Sequence, residues 1–302
     1  NAIRALDFSP DGSMLLSMGQ DVAHTIAVWD VSSGNLRASV RGGNDKVFDI
    51  KFAPDSQSFC SVGIQHIKFH EIRGRNIATK KGIIGHEKNA ELQTFLCVGY
   101  AGDGAVAGTS DGCIYRFDGR NLETVIREAH DGLVNTIYTG EDRLISGGYD
   151  GKVKIWSSPD LDVIGEFDIV ALGAFSAIVQ AVYMSHDKSM VLAATRGCEI
   201  FEILSKDGTN VHGAGKGPIV QGHCIDQLWG LDVNPQKSSE FVTVGDDYTV
   251  RIWNRVEKKQ VRMVKLDCMS RSACYSPDGN YIAVGCGGDI EGKEKDGPVG
   301  GF

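Results

Sequence analysis

Short segments in which apolar and polar residues alternate recur along the chain, and each ends in a turn that contains Asp, Gly or Pro. The first copy reads Ile3-Arg-Ala-Leu-Asp-Phe8 and precedes Ser-Pro-Asp-Gly12. Alternation with a period of two predicts strands with one buried face. The seven copies are residues 3–8, 47–52, 95–100, 134–138, 179–183, 228–233 and 271–275. Their mean spacing of about 44 residues is typical of four-stranded propeller blades.

A second and a third strand follow the first at fixed distances. Residues 144–156 and 241–253 match position for position as strand, tight turn and strand. These runs are too short for helices, so we predict an all-β fold, a seven-bladed β-propeller of four-stranded antiparallel blades. The repeat units within 1–302 are approximately 1–42, 43–88, 89–128, 129–172, 173–221, 222–266 and 267–302. We expect an incomplete last blade in a piece of a longer protein, because the chain stops at Phe302 inside a third strand.

Four polar and aromatic positions recur in the same order in the fourth and sixth units, with equal gaps of four residues from Ser or Thr to Asp and six from Asp to Trp. They are His130, Ser146, Asp150 and Trp156, and His223, Thr243, Asp247 and Trp253. A carboxylate can accept hydrogen bonds from a His and a turn amide, while imidazole, hydroxyl and indole form a chain. We therefore expect a buried polar network that joins the first three strands of each blade, and in this the two units resemble WD40 repeats. The second unit instead has Gln65 and His70 at the Asp and Trp positions, and the fifth has Gly197 and Phe201.

Several stretches together suggest a narrower resemblance. They are His66-Ile-Lys-Phe69, Gly82-Ile-Ile-Gly85, Leu92-Gln-Thr94, Ala129-His-Asp-Gly132, Gly222-His223 and Leu228-Trp-Gly-Leu231. In this order, over essentially all 302 residues, the chain resembles the echinoderm microtubule-associated protein-like family. The resemblance implies a non-enzymatic protein-binding scaffold of the cytoplasm and cytoskeleton that binds tubulin or another cytoskeletal protein. The basic, coiled-coil-forming segment and the hydrophobic motif that the family places ahead of its propeller are not seen here.

A different class of function remains open beside this one. A generic WD40 adaptor for a multiprotein complex, such as a substrate adaptor of a ubiquitin ligase, would have the same blade pattern. For either function, the candidate partner-binding residues are those expected at the blade rims, where the turns between second and third strands meet the beginnings of first strands. They are Lys46, Tyr149, Arg196, Tyr248 and Arg271. Tyr and Arg are enriched at the energetic centres of protein interfaces.

The charge of the chain argues against two kinds of partner. The formal net charge is −8, from 31 Lys and Arg against 39 Asp and Glu. Nucleic acids and anionic membranes are bound by clustered Lys and Arg, and no basic tract is present. The longest nearly apolar stretch, 169–179, is far shorter than the roughly 20 residues of a membrane helix. We therefore expect neither a nucleic-acid nor a membrane partner.

Candidate motifs for catalysis or for metal and cofactor binding each fail on spacing. His66 and His70 lie four residues apart on a strand, about 13 Å at 3.3 Å per residue, which is too far to share one metal. Residues 213–218 are rich in Gly and contain Lys216, but no Ser or Thr follows and no helix begins, so a flexible connection is favoured. Ser185, His186 and Asp187 are consecutive in a turn, whereas a catalytic triad converges from separate elements. We expect no enzyme, no cofactor, no metal and no small-molecule substrate.

The eight cysteines are dispersed among strand-like runs. Cys268 and Cys274 have no matching second pair, so a zinc site is not favoured. Free, buried thiols in a reducing compartment are the interpretation we adopt.

Overall fold

The computed structural model describes residues 2–85, 90–158, 160–213, 217–224 and 227–287. These residues form antiparallel sheets, six of four strands and one of two, as the sequence pattern predicted. A single short 3-10 helix, Val170–Leu172, is described among them. None of the described helices is long and apolar enough to cross a membrane. The chain divides into two compact units, Asn1–Ile219 and Val220–Phe302, which are considered separately below.

Within each sheet, neighbouring strands are consecutive along the chain. The first sheet is β1 (Ile3–Phe8), β2 (Met14–Gly19), β3 (Thr25–Asp30) and β4 (Leu36–Arg41), and the second is β5 (Val47–Phe52), β6 (Ser58–Gly63), β7 (His66–Arg73) and β8 (Asn76–Lys81). The third is β9 (Phe95–Ala101), β10 (Gly104–Thr109), β11 (Ile114–Asp118) and β12 (Asn121–Ile126), and the fourth is β13 (Val134–Thr139), β14 (Arg143–Gly148), β15 (Lys152–Ser157) and β16 (Val163–Asp168). The fifth sheet contains β17 (Val179–Met184), β18 (Met190–Thr195) and β19 (Glu199–Leu204), and the short strand β20 (Val220–Gln221) comes next along the chain. The sixth sheet is β21 (Leu228–Val233), β22 (Glu240–Gly245), β23 (Thr249–Asn254) and β24 (Lys259–Lys265), and the seventh is β25 (Ser270–Tyr275) and β26 (Ile282–Cys286).

In the first, second, fifth and seventh sheets, the turn between the first two strands is closed by an Asp side chain. In the first sheet, Asp11 Oδ1 accepts hydrogen bonds from Ser9 Oγ at 2.6 Å and from the Ser13 amide at 3.0 Å. Gly12 between them has a φ of +71°, a conformation that Gly adopts without strain. Asp187 is bonded in the same way to Ser185, so the consecutive Ser, His and Asp of the fifth sheet belong to a turn.

In the first unit, the first strands of successive sheets lie side by side. They run in the same direction, since contacts between neighbours advance together along both strands, as from Arg4 with Phe48 to Asp7 with Phe52 and from Asn135 with Val179 to Tyr138 with Tyr183. The Asp7 carboxylate on β1 accepts a hydrogen bond from the Phe52 amide on β5 at 2.7 Å. Asp49 on β5 accepts one from the Val98 amide on β9 at 3.0 Å. Apolar clusters fill the space between neighbouring sheets, for example Met14, Leu16 and Phe59 between the first and second. Because the first strands are parallel, they all begin on one face of this unit.

The second unit repeats this packing on a smaller scale. Asp232 on β21 accepts a hydrogen bond from the Tyr275 amide on β25 at 2.7 Å, and a small cluster that includes Val242 and Val244 is buried. The predicted third strand of the last repeat and its charged loop, 291–297, lie outside the described residues. So do residues 214–216 of the Gly-rich connection.

Candidate protein-binding face

We call the end of a sheet at which its first strand begins the entry end. In the second, fourth and fifth sheets, a backbone hydrogen bond joins the residue before the first strand to the residue after the second strand. The amides of Ile64, Tyr149 and Arg196 donate to the carbonyls of Lys46, Leu133 and Ile178 at 2.9, 2.8 and 2.8 Å. The turn between the second and third strands therefore lies at the entry end of each of these sheets. Because the first strands are parallel, the entry ends lie on one face of the first unit.

Three of the five predicted partner-binding residues lie at this entry end of the first unit. Lys46 precedes β5, Tyr149 follows β14 and Arg196 follows β18, and all three are exposed. The Tyr149 side chain retains half of its accessible surface, at 50%. Exposed aromatic and basic side chains on rigid turns are suited to contact a protein partner.

The other two predicted residues, Tyr248 and Arg271, belong to the second unit and are partly buried. Arg271 Nη1 lies 3.0 Å from Asp246 Oδ1, and its guanidinium lies 4.5 Å from the centre of the Trp229 ring. The indole N–H of Trp229 also donates to Asp246 at 3.0 Å. Arg271, on β25, is thus held by two residues of the preceding sheet within the second unit. Trp229, which our sequence reasoning did not select, is the exposed aromatic residue beside it.

In the fourth sheet, the four network residues predicted from the sequence form a continuous hydrogen-bonded chain. Asp150 lies 3.0 Å from His130 Nδ1, and His130 Nε2 lies 2.7 Å from Ser146 Oγ. The Trp156 indole donates to the same hydroxyl at 2.9 Å. Because a carboxylate only accepts, His130 donates from Nδ1 and accepts the Ser146 proton at Nε2. Asp150 also accepts the amides of Asp131 and Lys152, each at 3.1 Å.

The sixth sheet contains the same chain and adds a buried arginine. His223 lies 2.9 Å from both Asp247 Oδ1 and Thr243 Oγ1, and the Trp253 indole donates to Thr243 at 2.6 Å. Arg251 is fully buried and donates to Asp247 Oδ2 at 3.1 Å. Burial by itself raises the pKa of Asp247, but hydrogen bonds from His223 and Thr249 outweigh it and lower that pKa to about 2. Arg251 was missed because a charged residue on a strand usually faces water.

In the second sheet, two histidines meet at one serine. His66 Nε2 and His70 Nε2 lie 2.8 and 2.9 Å from Ser61 Oγ. Our distance argument against a shared metal was therefore wrong, because the rings lean toward the same hydroxyl although their backbones are far apart. Burial lowers the pKa of His66 to about 4 and that of His70 to about 3. Within the described residues, no group of three His, Cys, Asp or Glu side chains is arranged to hold a metal ion.

The fifth sheet replaces the missing Asp with a residue that sequence reasoning did not select. Glu199 is buried, and it accepts hydrogen bonds from Thr195 Oγ1 and from the Phe175 amide, both at 2.8 Å. The signal available in the sequence was a carboxylate at a strand position that alternation assigns to the buried face.

The cysteines also differ from the prediction. Only Cys60 and Cys97 are buried, while Cys198 and Cys274 are exposed because they lie in a turn and on an open strand face.

Repeated four-stranded sheets with a His, Ser or Thr, Asp and Trp network define a WD40-type β-propeller. The family model for the echinoderm microtubule-associated protein first β-propeller matches residues 1–203, and the model for the WD domain, G-β repeat, matches residues 218–254. The chain belongs to this family of echinoderm microtubule-associated protein propellers, which are generally non-catalytic and associated with microtubules.

Full-length relatives are similar across almost the whole chain. Echinoderm microtubule-associated protein-like 2 of Mus musculus is 28% identical over 287 residues, which cover 93% of this chain and 42% of the relative. Echinoderm microtubule-associated protein-like 1 of Homo sapiens is 28% identical over 94% of this chain and 34% of its own length. The ciliary WD repeat-containing protein ctxp80 of Euplotoides octocarinatus is 25% identical over 95% of this chain and 38% of its own. The chain thus spans about two fifths of these relatives or less.

Proposed function

We propose that this chain is a non-enzymatic protein-binding scaffold whose partner is tubulin or another protein of the microtubule cytoskeleton. The observation that carries the proposal is the entry end of the first unit, where Lys46, Tyr149 and Arg196 are exposed on one face. The names of its relatives, which are microtubule-associated and ciliary proteins, support the choice of partner.

Tyr149 is presented on a turn that is already rigid. Its amide donates to Leu133, and the next residue, Asp150, is fixed by its bonds to His130 and to two turn amides. A side chain whose backbone is ordered before binding loses less conformational entropy in the complex. We therefore infer that Tyr149 is an anchor of the interface.

Net charge determines how this chain approaches an acidic partner. At −8, the chain as a whole is repelled by an acidic surface, so long-range attraction does not drive association. We expect weak sedimentation of this chain alone with polymerised microtubules, and binding to unpolymerised tubulin through shape and local contacts.

The test is binding of the chain to unpolymerised tubulin, together with sedimentation with stabilised microtubules at low and physiological salt. Tyr149→Ala should weaken binding to unpolymerised tubulin at least about fivefold, as truncation of an anchor residue does. Tyr281→Ala is the matched control, since Tyr281 is 73% exposed at the end of the seventh sheet opposite its entry end, and its hydrogen bonds to Ser276 use only its backbone. Unchanged tubulin binding by Tyr149→Ala would place the site elsewhere, and no tubulin binding by the wild type would favour the adaptor function.

A further inference from the structure

A small basic pocket lies at the entry end of the second sheet. Its volume is about 230 Å³, and its polar lining includes Asn44, Asp45, Gln65, His66, Lys68 and Lys81. Lys46, one of the predicted partner-binding residues, is next to it in sequence and exposed. On a chain with a net charge of −8, this pocket concentrates positive charge in one place.

Two lysines face each other directly across strands β7 and β8. The register pairs Lys68 with Lys81, and like charges at directly opposite positions destabilise a sheet. Burial and the charge of Lys81 both lower the pKa of Lys68. The pairing therefore opposes folding, and an anion between the two ammonium groups would relieve it.

In the fourth sheet, the lysine that corresponds to Lys68 is neutralised by a residue of the protein itself. Lys154 lies opposite the network residue Ser146, as Lys68 lies opposite Ser61. Across the next strand pair, however, Lys154 faces Glu166, with the charged atoms 3.3 Å apart. The second sheet has a lysine, Lys81, where the fourth has this glutamate. The repulsion is thus a property of one blade and not of the architecture.

The space above the lysines is kept open by a glycine. A Cβ at Gly43 would lie 3.5 Å from both Lys68 Nζ and His66 Nδ1. Lys68 Nζ donates one hydrogen bond, to the Gly42 carbonyl at 2.5 Å. An ammonium group has three donors, so further N–H groups remain for a ligand at this point.

We propose that this pocket binds a carboxylate side chain of an acidic peptide segment on a protein partner. The inference deepens the proposed function and rests on it for the choice of a protein as ligand. Lys68 and Lys81 would bind the carboxylate as two point charges. Among the described residues that line the pocket there is no Arg, Ser or Thr, and Asp45 is present, which favours a singly charged carboxylate over a phosphate.

The experiment measures binding of a fluorescently labelled oligoglutamate peptide to the chain by anisotropy. The informative variant is Lys81→Glu, which recreates the Lys and Glu pairing of the fourth sheet. It should weaken peptide binding up to about fivefold, the upper end of the effect of one lost surface ion pair. Its stability in urea should equal or exceed that of the wild type, so a folding defect would not explain the loss.

Lys206→Glu changes the net charge equally at a remote turn, where the lysine side chain is 80% exposed, and it should bind the peptide as the wild type does. Equal weakening by both variants, or full binding by Lys81→Glu, would overturn the proposal. Displacement of the peptide by inorganic phosphate beyond the effect of chloride at equal ionic strength would reassign the pocket to a small anion. Because the probe contains no tubulin, peptide binding would persist if tubulin were the wrong partner.

Discussion

Removal of the Asp150 carboxylate tests whether the polar network of the fourth sheet stabilises the fold. Asp150→Ala leaves the His130 Nδ1–H donor, which is buried, without its acceptor, together with the amides of Asp131 and Lys152. An unsatisfied buried donor costs about 1–3 kcal/mol, and the two more exposed amides regain water. We expect a total loss of about 1–3 kcal/mol in the free energy of unfolding.

Asp55→Ala is a matched control, because this carboxylate also accepts three hydrogen bonds. Its donors are the Gln57 amide and the amide and hydroxyl of Ser58, all in an exposed turn. Water can replace Asp55, so its loss should cost roughly 0.5 kcal/mol. Urea denaturation of both variants with a shared m-value measures the difference. Equal losses of stability would refute the reasoning, since they would mean that burial of the network contributes nothing.

Two further perturbations address the buried basic groups. Lowering the pH from about 6.5 toward 4 should destabilise the wild type. The unfolded chain takes up protons on its histidines in this range, whereas in the folded protein the pKa of His66 is about 4 and that of His70 about 3, so both stay neutral. Replacement of both by Gln should flatten this part of a stability profile measured in urea. Arg251→Met should cost about 3–5 kcal/mol, since it leaves the Asp247 charge buried with one partner fewer. A second substitution, Asp247→Asn, should recover part of that loss, and no recovery would refute the ion-pair explanation.

Repetition made much of the fold predictable from the sequence. The alternation of apolar and polar residues and the turns with Asp and Gly are local properties, so each strand is indicated by its own residues. The equal spacing of Ser146, Asp150 and Trp156 and of Thr243, Asp247 and Trp253 indicated the networks, because a hairpin with a short turn brings fixed sequence offsets together. Individual exposed positions such as Tyr149 could be proposed for the same reason.

Tertiary structure decided which side chains face each other across strands and between sheets. The register of β7 and β8 places Lys68 opposite Lys81, and the local pattern of neither strand predicts that pairing. Side-chain direction brings His66 and His70 to one hydroxyl, and burial makes Glu199 and Arg251 network members. The sequence by itself therefore determined the repeats, the strands and the spacing within each hairpin, since these depend on neighbours in the chain. The basic pocket and the bonds between first strands depend on residues far apart in sequence, which only the packed sheets bring into contact.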